Sequence, residues 1–545
     1  MKSLKIWAVL CLLMLGGAIA AHAQTNTSRV PTIRRANGPG EAAPAPTWQD
    51  FQPYMVSGKL QLTLEDAIRL ALNNDTDIHV DEQQIGQAKT QIDFARAPFD
   101  PVASSTFGSQ RSNAPAASTL QGSSTLSQTA QVGVSQTLET GTNYQASLLV
   151  NKFSTNNGFY FTNPSDTGTF QLTLTQPLLR GRGLLPNRGP ILIAQRNLAL
   201  TRAQLEQQVS QILMNVVQQY WLVVEARESL VVQKKSLSEA QQTYDQDKRA
   251  LQLGALPPLG IYQSEAQVAA VRVSEIQAEY TLKQAEDALR RSIGADLDPN
   301  VRALDLDLTE KAEPAGALLS ADITSSLEKA MVNRPELEVS RQQLAIDETN
   351  VQIAHNGLEP NLSLSGTYIS NGLAGNLINN TVTPPQVIAT SGWPDALSQA
   401  FHFGYPTYGA TLSVTFPFGN HAAEAAYAST LVSKRRDAYS QRENRQQITQ
   451  DVVNAVHGLE ESELSMEAAK VSLNLSQKNL EAQQRQYELG GETVFFVLTA
   501  QTQLAQAEQT LVQADVSYQL AVTSLNLATG EILDQFHVKM ADLEK

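Results

Sequence analysis

Asp75, Asp77, His79 and Asp81 place four metal-ligating side chains within one short segment. On a helix Asp75 and His79, four residues apart, share a face and could hold a divalent cation. Acidic residues at a helix start are equally explained by the helix dipole, which favours negative charge there, and such side chains are usually solvated. The expectation is therefore no metal site. Arg180-Gly181-Arg182-Gly183, with Arg188 nearby, reads first as a Gly-supported turn. Its arginines could also meet anionic groups at a membrane edge. The six histidines beyond His22 contain no His-x-x-x-His pair, and the chain has no Gly-x-Ser-x-Gly, Walker loop or Gly-x-Gly-x-x-Gly. Nothing assembles an acid, a base and a nucleophile, so neither catalysis nor a cofactor is expected.

The elements that would position these residues occur twice. Ala71-Leu72-Asn73-Asn74 resembles Ala330-Met331-Val332-Asn333 at an offset of 259, and the same offset carries Pro101 onto Pro360. Pro177 matches Pro417 at 240, whereas Leu253-Gly254 matches Leu489-Gly490 and Gly294 matches Gly530 at 236. Landmarks in one order with small drifts indicate a tandem duplication. The first copy holds 19 more residues between its first helix and its strand end, the difference between offsets 259 and 240.

Each copy reads as a helix (63–95; 322–355), a β region (101–177; 360–417), a very long helix (189–252; 421–488), a break at Leu-Gly and another helix (261–293; 494–529). Leu205, Val209, Ile212, Val216, Tyr220 and Val223 recur every three or four residues. Ile448, Val452, Ala455, Val456 and Leu459 do the same, a narrow stripe suited to a coiled-coil seam. At 1.5 Å per residue the long helices reach about 100 Å, and the two shorter ones placed end to end have about the same length. Each copy then forms a two-layer helical wall.

The β regions alternate apolar and small polar residues, as in Leu172-Thr173-Leu174-Thr175 and Leu412-Ser413-Val414-Thr415, which suits a barrel with lipid outside and water inside. Aromatic residues near strand ends, such as Tyr368, Phe403 and Tyr408, suit interfacial girdles. Four obvious strands (102–110, 168–176, 361–369, 408–416) cannot close a barrel alone, because closure needs about eight. Several chains must contribute. A further alternating pair, 131–138 and 143–150, reads as an added hairpin whose place in the barrel stays open.

Lys2 and Lys5, an apolar run from Ile6 to Ala20 and Ala21-His22-Ala23 read as a signal peptide, 1–23. The only cysteine, Cys11, lies inside it, so the mature chain has neither disulfides nor thiolate metal sites. The formal net charge is −14, and removal of the two lysines with the leader gives −16. That surplus argues against nucleic acid and suits a lumen that prefers cations. Residues 24–59 read as a Pro/Ala-rich linker, 60–300 and 320–533 as the two repeats, 301–319 as the connection between them and 534–545 as a tail. No run beyond the leader is long and apolar enough for a spanning helix.

Leu-Thr-Leu-Glu-Asp-Ala-Ile at 62–68, Asn-Arg-Pro-Glu-Leu at 333–337, Glu-Pro-Asn-Leu-Ser-Leu-Ser-Gly at 359–366 and Thr-Gln-Pro-Leu-Leu-Arg-Gly at 175–181 resemble the TolC-type outer-membrane efflux family. The resemblance covers Leu60 to about Leu533. It implies a mixed α/β membrane protein: a homotrimer whose shared twelve-stranded transmembrane β-barrel continues into a long periplasmic α-helical barrel. It implies passive export across the outer membrane of a Gram-negative type cell, serving an inner-membrane pump through a periplasmic adaptor. Pro177 and Pro417 become the strand-to-helix turns. The tip turns that dock the adaptor and form the gate match Leu253, Gly254 and Ala255 in the first copy and Leu489, Gly490, Gly491 and Thr493 in the second. Relatives often carry aspartate rings just after this turn, but the aligned positions here are Phe496, Thr499 and Gly260. The gate is then expected to close by an apolar constriction at Phe495 and Phe496, unless those rings pack between neighbouring helices. The competing expectation is an exported trimeric coiled-coil fibre or adhesin, which should lack duplicated β regions. A periplasmic adaptor would instead show one helical hairpin flanked by Gly-rich β modules.

Overall fold

The computed structural model describes residues 46–56, 58–115, 122–253, 258–314, 318–382 and 385–540. The leader, most of the 24–59 segment and residues 541–545 lie outside them.

The first copy opens with α1 (Leu64–Asn74) and α2 (Thr76–Arg96). Thr63 caps α1 in a reciprocal box, its hydroxyl accepting from the Asp66 amide at 3.1 Å while donating to the Asp66 carboxylate at 2.6 Å. The single helix expected here is broken at Asp75, whose carboxylate accepts from the amides of Asp77 and Ile78 and so restarts the chain as α2. The strands β1 (Val102–Asn113), β2 (Ser124–Thr137), β3 (Asn143–Thr155) and β4 (Thr162–Pro177) follow. Then come α3 (Leu184–Gln252) and α4 (Pro258–Ser292).

The second copy repeats this with α5 (Ile323–Asn333) and α6 (Pro335–Asn356), broken at Arg334, the position 259 beyond Asp75. Here a proline at the first position of α6 replaces the side-chain cap. Next are β5 (Asn361–Asn379), the short β6 (Gln386–Thr390), α7 (Trp393–Phe401) and β7 (Pro406–Thr415). The long α8 (His421–Glu488) and α9 (Val494–Thr529) end the copy.

The lengths match as expected: α3 has 69 residues beside 11, 21 and 35 in α1, α2 and α4. The long helices reach about 100 Å. They are not stacked in two layers. Each long helix has three shorter helices beside it, giving the order α1/α2/α4, α3, α5/α6/α9, α8 across one wall. Every residue of the two expected seams, from Leu205 to Val223 and from Ile448 to Leu459, is buried. Around the middle of α3 burial widens to include Leu213, Val217, Trp221 and Val224. There a small sheet covers the wall: Lys59–Leu62 runs parallel to Asp305–Leu308 and antiparallel to Met55–Val56. The end of the 24–59 segment, the start of the first repeat and the 301–319 connection thus share one sheet, held by Arg227, which donates to the Leu308 carbonyl at 2.6 Å.

The second sheet runs β7-β5-β4-β3-β2-β1, with β6 pairing the far end of β5. The four obvious strands and the added hairpin form one sheet, in which β2 and β3 stand between β1 and β4. One face carries Leu172, Leu174, Leu364, Leu412 and Val414; the other carries Thr173, Thr175, Ser365, Ser413 and Thr415. β1 and β7 are the outer strands and are exposed along their whole length.

Candidate functional site

Three parts of the fold carry the predicted functional residues: the polar sheet face, the turns that join strands to helices and the tips at the far end of the wall. The strand-to-helix turn after Pro177 is built by side chains and glycine. Pro177 stands opposite Ser363, and the Leu178 amide donates to the Leu362 carbonyl at 2.7 Å. Asn356 accepts from the Gly181 amide, and Asn187 donates to the carbonyls of Gly181 and Gly183. Gly141, at φ +86°, comes so near the Gly181 carbonyl that a Cβ would lie 2.4 Å from it. Arg188 pairs with Glu139 at 3.3 Å, so an arginine of this cluster holds the β2–β3 turn onto the start of α3. Pro417 follows the end of β7 and precedes Gly419, at φ +72°, which turns the chain into α8.

The tips are the ends of α3 and α8. Leu253 and Leu489 cap the C-terminal ends of these helices and are exposed, at 84% and 86%. Gly490, at φ +73°, closes α8: its amide donates to the Tyr487 carbonyl at 3.0 Å and the Gly491 amide to the Gln486 carbonyl at 2.9 Å. That bond pair satisfies two otherwise orphaned carbonyls, and only glycine takes the left-handed position at low cost. Thr493 then precedes α9 in extended conformation. Gly254 and Ala255 lie outside the described residues.

Phe495 and Phe496 begin α9. Val494, Val497 and Leu498 are buried, Val497 beside Leu480 of α8. The two Phe rings stay 55% and 47% exposed and meet edge-on at 5.6 Å, so packing between this chain's own helices does not account for them.

Sequence reasoning missed a polar tie one to two turns above the tips. Asp247, on α3, is fully buried. It accepts from the Tyr487 hydroxyl of α8 at 2.5 Å and from the Ser264 hydroxyl of α4. Burial, with the carboxylate it faces, holds the Tyr487 phenol well above its ordinary value, so it remains a donor. Gln501 donates to Thr243 at 3.0 Å beside it, and Lys235 pairs with Glu508 at 2.5 Å farther up. These contacts join the two copies. The signal was legible: Ala240, Thr243 and Asp247 follow the buried spacing of the seam, and a carboxylate on a seam demands partners.

The acidic run contributes no cluster: Asp75 is a cap, while His79 faces Glu82 at 3.1 Å and the Asn73 carbonyl at 3.0 Å. Among the described residues no helix is long and apolar enough to cross a membrane.

The sequence profile described as Outer membrane efflux protein matches residues 143–295 and 326–531. The chain belongs to that family. The family's two matched blocks fall one in each copy, and each holds a long helix and the helix after it. Outer membrane protein TolC of Vibrio cholerae is 22% identical over 335 residues, covering 59% of this chain and 68% of the relative. TolC of Escherichia coli is 23% identical over 330 residues, covering 59% and 62%. The solved structure of CusC superposes with a TM-score of 0.63 at 16% identity over 90% of this chain and 97% of that one. The VceC outer membrane protein of Vibrio cholerae gives 0.60 at 15% identity over 88% and 98%. The efflux family places the chain in the outer membrane, extending into the periplasm, as an exit duct. A fibre or adhesin is not favoured, because the duplicated β regions it should lack are present.

Proposed function

We propose that three copies of this chain form one passive conduit, which an inner-membrane pump uses through a periplasmic adaptor seated on the tips. The observation that carries this reading is that both edges of the sheet and both edges of the helical wall are open on the same sides: β1 continues from the α2 side, and β7 leads into α8. A sheet in a bilayer cannot leave its edges unpaired, so copies must close on one another. Exposed apolar residues on the outer helices, Phe94 and Tyr280 on one side and Leu464 and Leu475 on the other, support closure of the wall as well. In this reading the conduit is passive and the energy comes from the pump.

In this reading Leu253, Gly254, Ala255, Leu489, Gly490, Gly491 and Thr493 form the docking turns, and Phe495 with Phe496 narrows the closed pore. Single cysteines at Leu253 and Leu489, in a mature chain otherwise free of thiols, test docking. In cells that also make the pump and adaptor, a bifunctional maleimide should join them to the adaptor. Adducts at Leu464→Cys but not at the tips would move docking elsewhere. Phe496→Ala should raise the closed-state conductance, and an unchanged value removes the ring from the gate.

A further inference from the structure

We infer that the assembled barrel has eighteen strands, not the twelve that four strands per chain would give. The inference rests on the three-copy reading above. Its ground is the placement of β2 and β3. They are hydrogen-bonded continuously between β1 and β4, so they cannot leave the barrel without breaking the sheet on both sides. With 14 and 13 residues they exceed the roughly 9–11 that a tilted strand needs to cross a bilayer.

Across the middle of the hairpin their side chains follow the same two faces as the rest of the sheet, Leu149 apart. Val134 stands opposite Ala146, and Val132 opposite Leu148, which in turn faces Phe170 on the apolar side. Gln131, Ser135 and Ser147 fall on the side of Thr169 and Thr173. A hairpin folded over the mouth or lying in water would have no reason to keep this alternation in phase with its neighbours.

The register supplies an independent check. The mutually opposite residues Val102, Ser135, Gln145, Thr173, Thr367 and Gly409 start at the first residue of β1 and end six residues short of Thr415, the last of β7. Both of those strand ends adjoin helices on the periplasmic side. At about 3.3 Å per residue the row climbs about 20 Å across five strand spacings, about 24 Å in all. That slope, about 40°, lies within the 35–45° of membrane barrels.

The widths also agree. Six strands at about 4.8 Å spacing and 40° tilt cover about 38 Å of circumference, whereas four cover about 25 Å. A wall four helices wide covers about 32–40 Å at 8–10 Å between axes. With six strands the barrel continues the helical tunnel without a taper, at a backbone diameter of about 36 Å against about 24 Å for twelve strands of the same tilt. The exit is then no narrower than the tunnel, and the tips alone limit the size of the cargo.

Single-particle electron microscopy of the full-length protein in lipid nanodiscs tests this by counting helices and strands separately. The expected image has twelve helices across the tunnel and eighteen strands across the barrel. Three copies with twelve strands overturn the inference and leave the three-copy reading intact, whereas another number of copies overturns that reading. Thiol labelling gives a second measurement. Cysteines replacing Gln131 or Ser147 should react with a water-soluble, membrane-impermeant maleimide through the lumen. Those replacing Val132 or Val134, on the apolar face, should be shielded by lipid at least tenfold. Equal labelling of both sets places the hairpin in water and overturns the inference.

Discussion

At the residue scale the copies are tied by few side chains near the tips, and Asp247 is central. Tyr487→Phe removes one hydroxyl from a buried carboxylate and leaves Ser264 as its remaining donor among the contacts described. An unsatisfied buried acceptor costs about 1–3 kcal/mol. Spent on the joined state of the tips, that shifts a closed–open equilibrium about 5- to 150-fold. The variant should therefore show a higher open probability in single-channel recordings with unchanged β-barrel assembly; wild-type gating would free Asp247 of this role. Asp515, on α9, answers to pH. Burial, opposed by Lys470 and reinforced by Glu313, pushes its carboxyl up to about 6 from 3.8. A carboxyl raised on folding favours the protonated form, so its contribution is present below pH 4 and is lost as pH rises through 6. The penalty above that pH is about 3 kcal/mol at most. Asp515→Asn should raise the thermal midpoint of the helical signal at pH 7.5 and barely change it at pH 4. An equal gain at both would point to packing, not charge.

At the element scale, α7 lies flush on the sheet because the sheet offers glycine beneath it. A Cβ at Gly372 would sit 1.9 Å from the Ala396 carbonyl oxygen, and one at Gly168 2.9 Å from the same atom. Ser370 donates to the Ala400 carbonyl at 2.6 Å from below. Gly372→Val must lift the helix, at about 1–3 kcal/mol for forced overpacking. Its multimer should dissociate at a lower temperature on unheated gels, whereas Gly366→Val, where nothing lies within 4 Å, should not. The helices were the most legible part of the sequence: α8 and α9 fall on the spans their periodicity predicts. The breaks at Asp75 and Arg334 were not, because apolar spacing continues across them and only the capping chemistry interrupts it. The inserted strands were visible as an alternating pair, yet sheet order depends on pairing between distant segments and no local pattern encodes it. For the same reason Tyr487 could be read as a seam residue but not as the partner of Asp247, 240 residues away.

At the scale of the whole molecule, two open-edged copies of one helix–strand–helix unit make sense only as a segment of a closed tube. In the proposed tube the polar sheet face lines the lumen, and the apolar face meets lipid except where α7 covers Gly168, Ser370 and Gly372. The net charge of −14 favours passage of cations where acids line the way. The most direct test is single-channel recording of the purified, detergent-extracted protein in a planar lipid bilayer. Discrete conductance steps with a reversal potential displaced toward the cation are the predicted result. Folded multimer that inserts into the bilayer and passes no current contradicts the assignment of this chain as a duct.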